Sequence, residues 1–203
     1  MEPPKILELF CDICTKRRGI NLYTLEAVIL LAVEIAREGR EGRKIGTMFV
    51  VADHENVLKL SRNMILDPLL GHAPENKHID DPNVRETLKE LAQLDGAFIV
   101  SDQGVVVSAC RYIYTVSEGI ELPLGLGSRH ISGASISKVT KAIAVVVSES
   151  SVVRVFDNGE MIGEILPELW LLKRYGLLLS EPYVLRKKGN LAVVTKDEKP
   201  PDS

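Results

Sequence analysis

The residues from 125 to 138 have the composition of a phosphate-binding loop, with glycines, small hydroxyl side chains, an arginine, a histidine and a lysine. Glycine lets a ligand approach the backbone closely, and free N–H groups at the start of a helix bind anions. Arg129 offers a planar guanidinium that matches phosphate oxygens, and His130 can donate to a phosphate or bind a metal. Gly127 and Gly133 flank this pair. The stretch therefore predicts a site for a small anionic ligand.

Asp95 is a second residue whose position suggests chemistry. It is followed by Gly96 and Ala97, and it connects a predicted helix to a predicted buried strand. A carboxylate in such a place needs a partner, because removing a charge from water is unfavourable, and this favours a functional role for Asp95. The alternative is a structural turn in which Gly96 takes a positive φ angle.

Two further patterns match known motifs only in part. Ser135 and Lys138 have the S-x-x-K spacing of penicillin-binding hydrolases, but the chain contains no K-T-G sequence. Cys11 and Cys14 have the C-x-x-C spacing, but they lack the four ligands of a structural zinc site and the preceding strand of a redox site. We interpret the two cysteines as ordinary helix residues, and we keep the hydrolase as an alternative.

The composition limits the classes of function. The chain has 203 residues, of which 45% are hydrophobic, and a net charge of −3. These values favour one domain with a buried core and leave no broad basic surface for nucleic acid. The longest apolar run, residues 27–36, contains Glu34 and is too short to cross a bilayer, which takes roughly 20 residues. We therefore expect a cytoplasmic protein that binds neither membranes nor nucleic acid.

Hydrophobic periodicity and turn signals indicate the elements that position these residues. Helices are predicted over residues 6–17, 24–37, 53–60, 81–95, 135–142 and 167–174. Strands are predicted over residues 45–51, 97–101, 105–116, 143–148, 152–156 and 161–165, with a further hairpin over 183–186 and 191–195.

Strands that alternate with helices predict an α/β fold, and the hairpins predict a mixed sheet. We expect a single main domain over residues 43–180. An N-terminal helical segment over 1–42 precedes it, and a C-terminal hairpin with a disordered tail over 181–203 follows it.

Taken together, these residues resemble the diadenylate cyclase (DAC) domain family, which makes cyclic di-AMP from two ATP. That family is marked by an Asp-Gly-Ala motif and, later in the chain, by a Gly-Thr-Arg-His-Arg motif. This chain has Asp95-Gly96-Ala97 and then Gly127-Ser128-Arg129-His130-Ile131. Residues 40–51, 61–68 and 145–149 also look like family landmarks, so the resemblance covers about residues 40 to 165.

The resemblance implies a central mixed sheet of about seven strands flanked by helices. Each subunit would bind one ATP, and two subunits would meet face to face, so that each ribose 3′-hydroxyl attacks the other ATP's α-phosphate. A monomer would then be inactive. The resemblance also implies a divalent metal, Mg or Mn, with Co as a further possibility.

The resemblance assigns roles to single residues. It implies that Asp95, Arg129 and His130 are catalytic, with Asp95 activating the 3′-hydroxyl or holding the metal. Residues that match nucleotide-binding positions are Gly96, Ala97, Tyr114, Gly127, Ser128, Arg129, His130 and Ser148. Residues that match metal positions are Asp95, His130 and Glu149.

The chain departs from the family pattern at two positions. Ser128 stands where the family has threonine and keeps the hydroxyl, whereas Ile131 stands where the family has a second arginine. The loss of that positive charge bears on phosphate affinity and rate, and Lys138 or a basic residue of the partner subunit are candidates to replace it. The alternative function is therefore a non-catalytic module that binds ATP or cyclic di-AMP.

Overall fold

The computed structural model describes residues 13, 19–115, 118–167, 183–188 and 191–196. The helices are α1 (Leu22–Glu38), α2 (His54–Lys59), α3 (Pro82–Leu91) and α4 (Ser128–Val139), with a short 3₁₀ helix at Pro74–Lys77. The strands are β1 (Thr47–Val51), β2 (Ser61–Asn63), β3 (Ala97–Val100), β4 (Val106–Ile113), β5 (Ile143–Val147), β6 (Val153–Asp157), β7 (Glu160–Leu166), β8 (Tyr183–Lys188) and β9 (Leu191–Lys196). The helices predicted over 6–17 and 167–174 lie outside the described residues, apart from residues 13 and 167.

All nine strands of the described residues form one sheet, in the order β2-β4-β3-β1-β5-β6-β7-β9-β8. β1 and β3 pair in parallel, and the other neighbours pair antiparallel. The predicted α/β class with a mixed sheet is confirmed. The sheet exceeds about seven strands because the short β2 extends one edge and the β8–β9 hairpin extends the other. The predicted division into three segments stays a prediction.

The middle of the sheet is covered on both faces. Every residue of β1 and β5 is buried, as expected for strands with helices on each side. Alternate residues belong to two separate apolar clusters: Phe49 and Val145 pack with α1, whereas Val50 and Val146 pack with α4. The sheet therefore holds α4, which carries the predicted phosphate loop, on the face opposite α1.

Helix α4 begins earlier than the sequence indicates. A helix is predicted over 135–142, but α4 spans Ser128–Val139, with Gly127 as an extended residue before it. Glycines and serines give this stretch weak helical periodicity, and burial against the sheet stabilises it instead. Gly133 shows how close the contact is, because a Cβ atom there would lie 2.9 Å from Val146 Cγ2.

Among the described helices, none is both long and apolar enough to cross a bilayer. The cytoplasmic location stays a prediction.

Candidate active site

The ends of three central strands and the first turn of α4 meet on one side of the sheet. Gly46 and Asp95 lie shortly before β1 and β3, which run parallel, so both residues lie at the same end of these strands. β5 runs antiparallel to β1, so Glu149, which follows β5, lies at that end as well. Arg129, in the first turn of α4, reaches these strand ends from one face of the sheet. The topology thus brings together residues that are far apart in the chain.

Arg129 lies between two carboxylates. Its Nη2 is 3.2 Å from Asp95 Oδ1, and its Nη1 is 3.3 Å from Glu149 Oε1. The Asp95 and Glu149 side chains are 76% and 68% exposed, and that of Arg129 is 37% exposed. Ion pairs in such contact with water contribute only about 0–1 kcal/mol each. A bound phosphate can therefore replace either carboxylate as the partner of Arg129.

A cleft of about 380 Å³ opens beside Arg129. This volume lies within the usual range for small-molecule sites, roughly 300–1,000 Å³. The start of α4 contributes the polar side chains of Ser128, Arg129 and Ser132. Apolar surface comes from β1, from β4 and from Met64, which follows β2. The lining residues are Met48, Met64, Asp95, Gly96, Ala97, Arg111, Tyr112, Ile113, Thr115, Ser128, Arg129, Ile131 and Ser132.

His130 points away from this cleft and into the protein. It is 6% exposed, its ring lies 6.2 Å from that of Phe156, and its Nε2 lies 3.2 Å from Nη1 of Arg154. Since a guanidinium only donates, this Nε2 accepts and the imidazole is neutral. Burial, and next the charge of Arg154, lower the pKa of His130 to about 4, although a hydrogen bond to the Gly127 backbone opposes the shift. His130 therefore does not line the cleft, and its assignment to phosphates or a metal stays a prediction.

Arg154 connects His130 to a buried ion pair. Arg154 Nε lies 2.8 Å from Oε1 of Glu164, and both side chains are almost completely buried. Arg154 and Glu164 are register partners on β6 and β7. The first turn of α4 is thus connected to the sheet through the contact of His130 with the buried Arg154–Glu164 pair.

Gly96 is a glycine for two reasons. Its φ is +108°, and a Cβ atom would lie 2.6 Å from the carbonyl carbon of Cys110. Cys110 itself has a φ of 53° at an irregularity of the β3–β4 pairing, as in a β-bulge. The positive φ angle expected in the structural alternative is therefore confirmed at Gly96. Gly96 also lines the cleft together with Asp95 and Ala97.

Tyr114 and Ser148 lie near the site without lining the cleft. Tyr112 is the tyrosine that lines it, and the Tyr114 ring lies 6.2 Å away from that of Tyr112. Ser148 is half-buried in the turn after β5, where its hydroxyl accepts a bond from Ser150 Oγ at 2.9 Å. Sequence reasoning missed Tyr112. Its position beside an arginine, Arg111, on a predicted strand was the signal that could have indicated it.

Lys138 does not replace the charge that is missing at Ile131. Its Nζ donates to the carbonyl oxygens of Glu118 and Gly119 at 2.9 and 2.8 Å, and it lines a different cavity of about 480 Å³. Ser135 is completely buried, so it is inaccessible to a substrate and the S-x-x-K hydrolase alternative is wrong. Ile131 itself is 38% exposed and adds apolar surface to the cleft.

The described residues contain no group of three or more His, Cys, Asp or Glu side chains that could hold a metal. Asp95 and Glu149 are nevertheless exposed carboxylates on two sides of Arg129. Mg²⁺ is commonly bound through one or two carboxylates together with substrate phosphates and water. The donors present therefore fit a metal that arrives with a nucleotide, and His130 is not among them.

Comparisons with known proteins agree with these motifs. The family model described as DisA bacterial checkpoint controller nucleotide-binding (DAC) matches residues 34–161. A diadenylate cyclase of Methanocaldococcus jannaschii is 49% identical over 168 residues, which are 82% of this chain and 52% of that protein. A diadenylate cyclase of Haloferax volcanii is 41% identical over 144 residues, which are 70% of this chain and 52% of that protein.

The chain therefore spans about half the length of the curated relatives it matches. Among solved structures, a double mutant of DacA from Staphylococcus aureus is similar with a TM-score of 0.46 and 19% identity, over 68% of this chain and 84% of that chain.

Proposed function

The chain belongs to the DAC family of DisA-type nucleotide-binding domains, and from this premise we propose that it condenses two ATP into cyclic di-AMP and two pyrophosphates. The observation that carries the proposal is the exposed Asp95 carboxylate held beside Arg129 at the mouth of a small-molecule cleft. Together they supply a carboxylate and a phosphate-binding cation for one reaction centre.

The two sides of the cleft suit the two ends of ATP. The start of α4 offers N–H groups, the positive end of the helix dipole and the Arg129 guanidinium, which bind the phosphates. The opposite side offers Met48, Met64 and Tyr112, on which an adenine base can pack. This orientation puts the α-phosphate between the base and Arg129, near Asp95.

In the reaction, the ribose 3′-oxygen attacks the α-phosphorus of the other ATP and pyrophosphate leaves. We assign to Asp95 the removal of the 3′-hydroxyl proton or the binding of a metal, and to Arg129 the stabilisation of phosphate charge. A bound Mg²⁺ or Mn²⁺ supplies further neutralisation of that charge. Asp95, and Glu149 when Arg129 leaves it, are the side chains that would hold the ion.

The same proposal requires two copies of the chain. One cleft of about 380 Å³ holds one ATP, and each reacting hydroxyl must meet a phosphate in another cleft. Asp95 is highly exposed, so it can face a nucleotide bound by a second subunit. We therefore propose a homodimer whose two clefts face each other, with neither protomer active alone.

The second candidate function is a module that binds ATP or cyclic di-AMP without turnover. It is favoured by Ile131, which brings apolar surface into the cleft at the position of the family's second arginine. The cleft and Arg129 would serve binding equally well in both cases.

The deciding experiment is incubation of the purified protein with ATP and magnesium, manganese or cobalt, followed by mass spectrometry for cyclic di-AMP. We expect the product, together with pyrophosphate in a two-to-one ratio. Binding of ATP without product under all three metals would reject the cyclase and favour the binding module. A preparation of the Asp95→Asn variant serves as the control for contaminating activity.

A further inference from the structure

Gly46 is a glycine that the backbone does not require. It lies immediately before β1 and is half-buried. Its φ angle lies outside the left-handed region in which glycine is favoured. An L-residue could adopt the same backbone conformation, so the reason for glycine must be the space that a side chain would fill.

The side chains of Arg129 and Glu149 occupy that space. A Cβ atom on Gly46 would lie 2.7 Å from Arg129 Nη1 and 3.2 Å from Arg129 Cζ. It would also lie 3.2 Å from Glu149 Cγ. At Gly39 and Gly96, by contrast, the nearest atoms belong to the backbone, at 2.2 and 2.6 Å. Gly46 therefore leaves room for the side chains of Arg129 and Glu149, whereas Gly39 and Gly96 leave room for neighbouring backbone.

We propose that Gly46 is a positioning residue for Arg129. The missing side chain leaves the room in which the guanidinium lies between Asp95 and Glu149. Without that room, Arg129 would have to leave Glu149 or turn away from Asp95, since its two ion pairs use opposite nitrogens of one planar group. For the nucleotide, this inference rests on the proposed function, because Arg129 is the group assigned to the phosphates.

Gly46→Ala tests the inference with one methyl group. The added atom meets only the movable ends of side chains, so we expect the variant to fold with nearly the melting temperature of the wild type. We expect its affinity for ATP, measured by calorimetry in EDTA, to fall ~10-fold, because a phosphate-binding group displaced by about 1 Å loses much of its effect. The crystal structure of the variant should show the guanidinium displaced.

The matched control is the same substitution in an Arg129→Ala background. With the guanidinium gone, the methyl group has no conflict with it, and adding Gly46→Ala should change ATP affinity by less than about twofold. If Gly46→Ala instead weakens ATP binding equally in both backgrounds, or leaves wild-type affinity and an unmoved Arg129, the inference is wrong. Misfolding in both backgrounds would also overturn the inference, because the added methyl group would then disturb the fold itself rather than the position of Arg129.

These results are separable from the fate of the proposed function. A wild-type protein that makes no cyclic di-AMP would reject the cyclase, while the position of Arg129 in the Gly46→Ala crystal structure would still decide the inference. Conversely, an active wild type with an active, unperturbed Gly46→Ala variant would reject the inference alone.

Discussion

Arg129 is one of two arginines that line the cleft, the other being Arg111, and its charge is balanced by two exposed carboxylates. Two carboxylates approach the guanidinium at 3.2 and 3.3 Å, and both remain mostly in water. Neither pair is strong enough to hold Arg129 against a triphosphate, which offers several charged oxygens at once. Under the proposed function, Asp95 and Glu149 would keep Arg129 in place before the nucleotide arrives and would be released when it binds.

Asp95→Asn removes the negative charge at this position with almost no change in shape. We expect the rate of cyclic di-AMP formation to fall by at least roughly 100-fold, the usual contribution of a proton acceptor in the transition state. Since the side chain is 76% exposed, the melting temperature should stay near that of the wild type. Turnover is measured by mass spectrometry and stability by circular dichroism, and wild-type turnover in this variant would contradict the role of Asp95.

Ile131→Arg restores the positive charge that the family pattern has at this position. Ile131 lines the cleft and is 38% exposed, so a longer side chain can extend without burial of its charge. We expect ATP to bind roughly tenfold more tightly, because one charge-assisted hydrogen bond contributes about 1.5–3 kcal/mol. Ile131→Leu is the control for shape, and calorimetry is the measurement. Equal affinities of the two variants would show that the charge is not needed here.

At the scale of elements, α4 combines two tasks on opposite sides of its first turn. Ser128 and Arg129 face the cleft, while His130 faces the sheet and contacts Arg154. Successive residues of a helix are about 100° apart, so neighbours in one motif serve different surfaces. The motif therefore joins a phosphate site to the anchor that fixes its helix.

The anchor makes stability depend on pH. The pKa of His130 is about 4 in the folded protein, below the value of 6.5 for an unperturbed histidine. The unfolded chain thus binds this proton more readily, and the contribution of His130 is fully present above pH 6.5 and is lost as the pH falls toward 4. The shift corresponds to roughly 3 kcal/mol.

We therefore expect the free energy of unfolding to decrease as the pH falls from 6.5 to 4, and to decrease less in His130→Asn. Urea unfolding at several pH values measures both slopes. Histidine NMR of the folded protein gives a second test, because the His130 ring should titrate near pH 4. A ring that titrates near pH 6.5 would disagree with its burial beside Arg154.

The residues that precede α3 and α2 show that a side chain before a helix can bond either to the helix itself or to a distant part of the chain. Asp81 caps α3 as the sequence predicts, because its Oδ1 accepts from the Asn83 N–H at 2.7 Å and Pro82 follows. Asp53 precedes α2 but makes no such cap, since its Oδ2 accepts from the distant Lys141 N–H at 2.8 Å. A capping motif predicts the position of a helix start, while tertiary contacts decide how the side chain is used.

At the scale of the whole molecule, the proposed reaction couples activity to assembly. The cleft lies open, with the exposed Asp95 among its lining residues. Under the proposed reaction, the site would be complete only when a second chain supplies the other nucleotide, and the open cleft leaves room for that approach.

The specific activity should consequently fall when the enzyme is diluted below the dissociation constant of the dimer. The measurement is the rate of cyclic di-AMP formation per milligram over a dilution series, with analytical ultracentrifugation of the same samples to follow the monomer fraction. A specific activity that stays constant while the protein dissociates would contradict a site shared by two chains.

The sequence by itself determined the fold class and indicated two candidate site residues. Apolar segments such as 45–51 and 143–148 showed a sheet with buried central strands, because burial on both faces leaves a continuous hydrophobic pattern. Arg129 and Asp95 were found because their residue types stand out in small, glycine-rich surroundings. The family then followed from the order of two short motifs.

Only the tertiary structure decided which neighbours of these residues face the cleft. His130 follows Arg129 directly, but the turn of α4 directs it into the core. Tyr112 lies at the cleft because β4 pairs with both of its neighbours there, Arg111 with Ala97 of β3 and Tyr112 with Arg62 of β2, whereas Tyr114 lies beyond the end of β4. Gly46 has no local signal at all, since its importance comes from side chains that are distant in the chain. Direction and proximity depend on packing between elements, and no local sequence pattern contains them.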